Sequence, residues 1–365
     1  MRIRSTVIKE TKSILMLVAI SISLFFQSPN VRAAEIVRMI AVDSYSPSSL
    51  WVKVFIEYFM PEVDKRLAEK GNYEIDWNPA FGGTIAKTKG VLDSLQHDLG
   101  DIGIITTPYH ADKLPFYNLP YSTPFVSSDI GLIARTMSDL HEKYPELKAG
   151  WDEYGIHYLV TAGNIDSYGL LMTDPIESFA DLGGKKIGGV GSNLTFLEGS
   201  GAARVSSGLS DWYNNMATGL LDGIIVWPEA VWAYRLFEVA PYMLDIQFGG
   251  ATSKAVVFNK KRWDRLPEEI RVVLQEVAID YREELARVTD ELSQHARDEF
   301  EKNGGKIITV TAAQRQEWAS KLNDLAALWL GLMEKKGLPG EAILADYMKI
   351  MRDNNQLIMR QWGNE

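Results

Sequence analysis

Short apolar runs and amphipathic stretches alternate along most of the chain. Runs such as Ile36–Val42, Asp101–Ile105 and Gly223–Val226 have the length and composition of buried strands. Polar loops follow these runs, and then come stretches such as Ser48–Val63, where apolar residues recur three or four positions apart as in an amphipathic helix. Strands interleaved with helices favour an α/β fold with mostly parallel sheets.

The same pattern predicts the remaining elements. Further strands are expected at Tyr73–Trp77, His157–Thr161, Gly169–Met172, Lys186–Gly188, Ala255–Phe258 and Ile307–Val310. Further helices are expected from the glycine turn at Gly82-Gly83 to Leu95, and near residues 130–145, 193–203, 210–219 and 229–237.

The C-terminal third contains one much longer helical pattern. Pro267–Asn303 keeps apolar residues at the 3–4 spacing, begins with a proline followed by two glutamates, and ends before Gly304-Gly305. A helix of roughly ten turns, ~55 Å long, exceeds the width of one small α/β domain. We therefore expect it to lie across two domains.

The first thirty-three residues have the pattern of an export signal. Basic residues precede the apolar run Ile14–Phe26, and Val31-Arg32-Ala33 places small or apolar residues where signal peptidase requires them. A mainly apolar run of thirteen residues is short for a bilayer span, so cleavage after Ala33 is favoured over an uncleaved anchor. The expected location of the mature chain is the periplasm.

Composition narrows the possible functions. A chain of 365 residues favours two domains, and a net charge of −10 disfavours nucleic-acid binding through phosphate contacts. The chain has no cysteine, which excludes disulfides, thiolate metal sites, cysteine nucleophiles and a lipoprotein anchor.

Signatures of catalysis are weak or missing. The five histidines form no HxxxH or HExxH pair, and neither a G-x-S-x-G elbow nor a P-loop occurs. The segment Gly188–Asn193 follows a strand, but Leu194 stands where the dinucleotide fingerprint requires its third glycine. We expect neither an enzyme nor a bound cofactor or metal.

Loops rich in aromatic and hydroxyl side chains follow several predicted strands. Ligands of open α/β sheets bind at the carboxyl ends of strands, so these loops are candidates for a binding site. The loops are Asp43–Ser46, Thr106–Tyr109, Asn164–Tyr168, Gly191–Asn193 and Trp227–Trp232.

Four segments carry longer motifs in a fixed order. Gly82–Pro124 contains a glycine turn, a helix, a strand with Asp101-Ile102-Gly103 and a proline-rich segment; Phe179–Ile187, Trp212–Glu229, Val256–Ile270 and the long helix follow. In this order the segments resemble the DctP-like family of solute-binding proteins of TRAP (tripartite ATP-independent periplasmic) transporters, whose N-terminal domain has a glycine turn, a helix, a G-x-x-D-[IM]-G strand and a proline-rich segment.

The resemblance implies a two-lobed periplasmic binding protein with mixed sheets, hinge strands and one long helix across both lobes. Lobe I is expected to comprise residues 34–160 and about 252–300, and lobe II residues 161–251 and about 304–365 with the C-terminal helices. Such a protein closes around a small organic acid and delivers it to the small and large membrane subunits of the transporter.

One position departs from the family pattern. The family carries an arginine directly after the "KI" of its strand, where the guanidinium forks onto the ligand carboxylate. Gly188 occupies that position here, and the family's polar residue two to four places after its "VDG" is also absent, since Ile225, Val226 and Trp227 are apolar. We therefore expect a more aromatic and less cationic pocket than is usual.

The expected ligand contacts are Tyr45, Tyr109, Asn164, Ser192, Asn193, Trp227, Glu229 and Trp232. Pro228 is expected to begin the helix that carries the last two. An organic acid would bind by apolar stacking, hydroxyls and backbone N–H groups; a cationic or zwitterionic ligand held by the tryptophans and Glu229 is the alternative. Two other functions remain open, an exported α/β hydrolase and a periplasmic sensor subunit that presents its ligand to a receptor.

Overall fold

A computed structural model describes residues 33–363. The expected export signal lies outside these residues except for Ala33. Two mixed β-sheets organise the chain, one in each lobe. The lobe I sheet has the order β2-β1-β3-β10-β4, with strands Tyr73–Ala80, Glu35–Val42, Ile102–Thr106, Lys254–Asn259 and Ile156–Ala162. The lobe II sheet has the order β11-β9-β5-β8-β6-β7, with strands Lys306–Thr309, Tyr242–Asp245, Gly169–Met172, Gly223–Val226, Lys186–Gly189 and Ala203–Ser206.

Helices pack around both sheets, which confirms the α/β class. In chain order they are Leu50–Val54, a π-helical turn Phe55–Phe59, Met60–Lys70, Val91–Gln96, Leu119–Ser122, Ile130–Lys143, Pro145–Asp152, Leu209–Ala217, Pro228–Ala233, Lys260–Trp263, Glu268–Lys302, Ala312–Lys321, Leu325–Lys335 and Gly340–Asp353. Short 3₁₀ turns lie between several of them, including Gly191–Leu197 after β6.

Strand direction brings one edge of each sheet to the cleft between the lobes. In lobe I, β1 and β3 run parallel and end at this edge, whereas the antiparallel strand β10 begins there. In lobe II, β6 and β8 end at the facing edge, and the antiparallel strand β5 begins there. The cleft therefore receives the loops after β1, β3, β6 and β8 and the first residues of β5 and β10.

Two chain crossings beside the cleft form the hinge. Residues 163–168 pass from β4 to β5, and residues 246–253 return from β9 to β10. An antiparallel bridge between Ile165 and Ala251 joins the crossings. Gly250 permits this contact because a Cβ there would lie 2.7 Å from the carbonyl oxygen of Asp166. The lobes are thus connected by paired strands rather than by a flexible tether.

The long helix, Glu268–Lys302, runs along both lobes as expected. Its first half packs on β4 and the helix Ile130–Lys143, and its second half packs on the helix Pro228–Ala233 and on β11. At 35 residues it is about 52 Å long. Its buried face includes Tyr281, whose hydroxyl donates to the Trp51 carbonyl at 2.8 Å. The helix therefore supports the lobe I wall of the cleft.

The C-terminal helices divide between the lobes. Trp318, in the helix Ala312–Lys321, donates its indole N–H to the Phe196 carbonyl of lobe II at 3.1 Å. Trp329, in the next helix, donates to the Pro115 carbonyl of lobe I at 2.8 Å. The last two helices, which the expected division grouped with lobe II, therefore pack on lobe I. The exact lobe boundaries otherwise stay a prediction.

Among residues 33–363, no helix combines the length and the apolar character that a bilayer span requires.

Candidate ligand-binding cleft

A cavity between the lobes is lined by both sheets' facing edges. Its wall is mainly aromatic, with one ammonium group. The lining residues from lobe I are Tyr45, Trp51, Thr106, Pro108, Tyr109, Tyr121, Ser253 and Lys254, and those from the hinge and lobe II are Ile165, Tyr168, Val190, Leu209, Trp212 and Trp227.

Lys254 is the first residue of the central strand β10. It pairs with Thr106 of β3 on one side and with Ala162 of β4 on the other, so its side chain is enclosed and only 2% exposed. The ammonium donates to Thr106 Oγ1 at 2.9 Å and lies 3.7 Å from the centre of the Trp51 ring. Burial lowers the pKa of Lys254 to about 7, although the nearby Asp43 carboxylate opposes the shift.

Asp43, directly after β1, lies at the N–H edge of the Trp51 indole, whereas the ammonium lies over the ring face. Its two carboxylate oxygens accept the Tyr45 backbone N–H at 2.7 Å and the Trp51 indole N–H at 3.1 Å. Burial raises the pKa of Asp43 to about 6, against the attraction of Lys254. Both oxygens are therefore engaged by lobe I itself, and the carboxylate fixes the indole on which the ammonium rests.

Trp227 forms much of the lobe II wall. It follows β8 and precedes Pro228, which begins the helix Pro228–Ala233 as predicted. Its ring meets Tyr168 edge to face at 5.9 Å, and its indole N–H donates to Glu229 Oε2 at 3.0 Å. Glu229 is 6% exposed, and burial raises its pKa to about 7 despite the donated hydrogen bond.

Polar contacts join the lobes around the cavity. The hydroxyls of Ser49 in lobe I and Tyr234 in lobe II are 2.7 Å apart, and Ser192 in lobe II donates to Asn118 Oδ1 in lobe I at 3.0 Å. Gly191, with φ 51°, lies so close to lobe I that a Cβ would be 3.0 Å from the Pro108 carbonyl oxygen. The lobes are therefore in direct contact on both sides of the aromatic wall.

The structure brings some of the predicted contact residues to the cavity and leaves others behind it. Tyr45, Tyr109 and Trp227 line it. Asn164 lies within the hinge, where its Oδ1 accepts from Ser253 of the other crossing at 2.6 Å. Asn193 is buried and caps its own turn by accepting the Val190 backbone N–H at 2.8 Å. Direct ligand contact by any of them stays a prediction.

The remaining predicted residues hold the wall or lie elsewhere. Ser192 bridges the lobes, and Glu229 is occupied by the Trp227 indole. Trp232 stacks on Phe237 at 4.9 Å and meets His295 of the long helix edge to face. Trp232 is not among the residues that line this cavity, because its helix turns the side chain toward the long helix, and its contact with a ligand stays a prediction.

Sequence reasoning missed Trp51, Trp212 and Lys254. The two tryptophans have the spacing of ordinary core residues in amphipathic helices, which hides their role. The sequence could have identified Lys254, since this charged residue directly precedes the apolar run Ala255–Phe258. A charged residue on an otherwise fully apolar strand is rarely buried unless it has a function or a partner.

Gly188 shows why the expected arginine has no room here. A Cβ at this position would lie 2.6 Å from Leu221 Cδ1 and 2.8 Å from Ser207 Oγ. Ser207 is itself held by the Trp212 indole, which donates to its oxygen at 3.0 Å. Leu221 and the Ser207–Trp212 pair therefore occupy the space that a longer side chain would need.

We expect Gly188→Arg to lower the free energy of unfolding by about 1–3 kcal/mol, because a side chain would overpack this site. Gly188→Ala carries only the Cβ and should account for much of the loss. Urea unfolding of both variants and the wild type measures the effect. If Gly188→Arg and Gly188→Ala are both as stable as the wild type, the side chains of Leu221 and Ser207 can move aside at little cost.

Comparison with known proteins agrees with this architecture. The family described as bacterial extracellular solute-binding protein, family 7 (DctP), matches residues 42–330. The chain belongs to the DctP family. The resemblance found in the sequence is thereby confirmed, and so is the expectation of a binding protein rather than an enzyme, because this family consists of solute-binding proteins.

Individual relatives of this DctP-family chain are distant. The C4-dicarboxylate-binding periplasmic protein DctP of Vibrio cholerae is 26% identical over 208 residues, which are 55% of this chain and 60% of that protein. The chain thus matches well under two thirds of that relative's length.

Solved structures share the fold over nearly their whole length. A TRAP solute-binding protein from Rhodoferax ferrireducens in complex with copurified benzoate matches with a TM-score of 0.75 and 19% identity, covering 87% of this chain and 98% of that one. A Bordetella pertussis extracytoplasmic solute receptor binding pyroglutamic acid matches with a TM-score of 0.73 and 20% identity, covering 87% and 100%. The two-lobed fold is therefore shared.

Proposed function

We propose that the protein is the extracytoplasmic solute-binding subunit of a TRAP transporter, exported to the periplasm by a cleaved signal. It captures a small organic acid between its lobes and delivers the acid to the small and large membrane subunits for uptake. The observation that carries this proposal is the cavity between the two sheet edges, which combines a buried ammonium with aromatic walls from both lobes. The similar structures that contain benzoate or pyroglutamic acid support an acid as the ligand.

The cationic alternative fits the cleft less well. It required the Glu229 carboxylate to face the ligand, but that carboxylate accepts from the Trp227 indole and is buried behind it. The charged group that does line the cavity is Lys254, which attracts anions.

Thermal unfolding of the mature protein with a panel of organic acids tests capture. We expect at least one acid to raise the midpoint in a concentration-dependent way, since a ligand that binds only the folded state stabilises it. At saturation, small-angle scattering should show a smaller radius of gyration. An unchanged radius with a bound acid would contradict closure, and no stabilisation by any acid would contradict acid capture.

Uptake separates transport from ligand presentation to a receptor. Cells that produce the two membrane subunits should accumulate the bound acid only when this protein is present. Accumulation that is independent of this protein would favour the sensory role.

A further inference from the structure

Lys254 is a buried cation without a counter-ion in direct contact. Among residues 33–363, its ammonium has one hydrogen-bond acceptor, Thr106 Oγ1, and no carboxylate oxygen lies within 4.0 Å of it. Removing an ammonium from water is costly unless an anion and further hydrogen bonds compensate. A lysine kept here on a central strand therefore indicates an anion that arrives from outside the chain.

Asp43 does not fill this role. Both of its oxygens accept hydrogen bonds within lobe I, from the Tyr45 backbone N–H and the Trp51 indole N–H, and neither oxygen lies within 4.0 Å of the ammonium. The carboxylate thus acts at a distance. It favours the charged form of Lys254. Thr106 Oγ1 accepts one of the three ammonium N–H groups, so two remain for a ligand in the cavity that Lys254 lines.

The other residues that line the cavity indicate the charge and the polarity of the ligand. Lys254 is the single basic residue among the described residues that line the cavity, and no acidic residue lines it. Aromatic rings surround the ammonium, and hydroxyls of Tyr45, Tyr109, Tyr121 and Tyr168 are the main polar groups. One carboxylate can therefore be neutralised, whereas a second would be buried against rings and hydroxyls at a large cost.

We propose that Lys254 anchors the carboxylate of an aromatic monocarboxylate whose ring lies among the tyrosines and tryptophans of the cleft. This inference rests on the proposed function as an organic-acid receptor. The anchor is a lysine on lobe I, whereas the family resemblance places an arginine on lobe II at the position of Gly188. The missing arginine is thus replaced from the opposite wall, while Leu221 and the Ser207–Trp212 pair fill its former space.

Titration calorimetry with matched acid and amide probes tests the anchor. The probes are benzoate and phenylacetate, their amides, pyroglutamate and succinate. The wild type should bind an aromatic acid at least tenfold more tightly than its amide, because only the acid pairs with the ammonium. Lys254→Met should weaken acid binding roughly 30-fold or more and remove the preference over the amide.

Two further variants serve as a control and as a substitute for Lys254→Met. Lys89→Met removes an exposed lysine whose ammonium lies 5.8 Å from the Tyr109 ring centre, and it should leave the acid preference unchanged. If Lys254→Met does not fold, the double variant Lys254→Met/Asp43→Asn removes both buried charges together and should show the same loss of preference.

The outcomes separate the two proposals. Acid binding that is equal in the wild type and Lys254→Met would overturn the anchor and leave acid capture standing. Tighter binding of succinate or pyroglutamate than of both aromatic acids would overturn the aromatic class alone. If none of the acids binds the wild type, both the anchor and the proposed function fail.

Discussion

The affinity for benzoate is expected to fall severalfold as the pH rises from about 7 to about 9. Burial lowers the pKa of Lys254 to about 7, so the ligand-free protein loses its ammonium charge as the pH rises through this range. Only the charged form pairs with a carboxylate, and the apparent dissociation constant rises as that form is depleted.

Other groups near the ammonium titrate outside this range or can be removed. Asp43 has a pKa raised to about 6 by burial, so it is ionised throughout the range, and the pKa values of the adjacent Tyr45 and Tyr109 are raised above their ordinary values by burial. Glu229, behind Trp227, has a pKa raised to about 7. Calorimetry on Glu229→Gln therefore isolates the contribution of Lys254.

Two variants test whether Lys254 causes the fall of benzoate affinity with pH. The fall should persist in Glu229→Gln and disappear in Lys254→Met, whose residual affinity does not depend on an ammonium. A wild-type affinity that is constant from pH 7 to pH 9 would contradict the lowered pKa of Lys254.

Trp227→Ala is expected to lower the free energy of unfolding by about 3–5 kcal/mol. The substitution removes a nearly buried indole from the lobe II wall, and it leaves the buried Glu229 carboxyl without its donor. Ligand affinity should fall as well, by about 1–3 kcal/mol, because the ring lines the cavity. Urea unfolding and calorimetry measure the two effects separately.

The stability loss should grow with pH. Burial raises the folded-state pKa of Glu229 from its ordinary value of 4.5 to about 7, so the unfolded state binds fewer protons between these values and stability declines as pH rises through them. Loss of the indole donor raises the folded pKa further and extends this decline upward. Trp227→Phe retains a ring but lacks the hydrogen-bond donor. The double variant Trp227→Ala/Glu229→Gln removes the titrating group as well, so its free energy of unfolding should lose the added pH dependence. If Trp227→Ala lowers the free energy of unfolding by less than 1 kcal/mol, the structural role assigned to the indole is wrong.

Elements with a strong periodic signal could be predicted closely from the sequence. The long helix was expected over Pro267–Asn303 and occupies Glu268–Lys302, and Gly223–Val226 is a strand with the predicted bounds. Each buries a continuous apolar face, so local pattern and tertiary packing favour the same conformation.

Elements whose stability comes from their neighbours were missed. Ala203–Ser206 is an edge strand with mostly exposed side chains, and it replaces the end of a helix expected near 193–203. The helix expected after Gly82-Gly83 begins only at Val91. Neither segment carries a period of its own, because hydrogen bonds to β6 and local turns determine its conformation.

The sequence could place the site at the ends of the strands, but it could not identify all the residues that line it. The loops after β1, β3 and β8 were predicted to meet, and Tyr45, Tyr109 and Trp227 do line one cavity. The position of Lys254 depends on β10 running antiparallel between β3 and β4. The alternation of strands and helices favours parallel neighbours and therefore could not bring the start of β10 to the cleft.

The anion site belongs to one lobe. Lys254, Trp51 and Tyr45 are all carried by lobe I, whereas Trp212 and Trp227 come from lobe II. In the proposed site the ionic contact therefore comes from lobe I, and lobe II adds aromatic contacts when it closes. We expect contacts in lobe I to determine mainly the rate of capture, and contacts in lobe II mainly the residence time of the bound acid. The lifetime of the complex can thus change through substitutions in lobe II while the rate of capture stays the same.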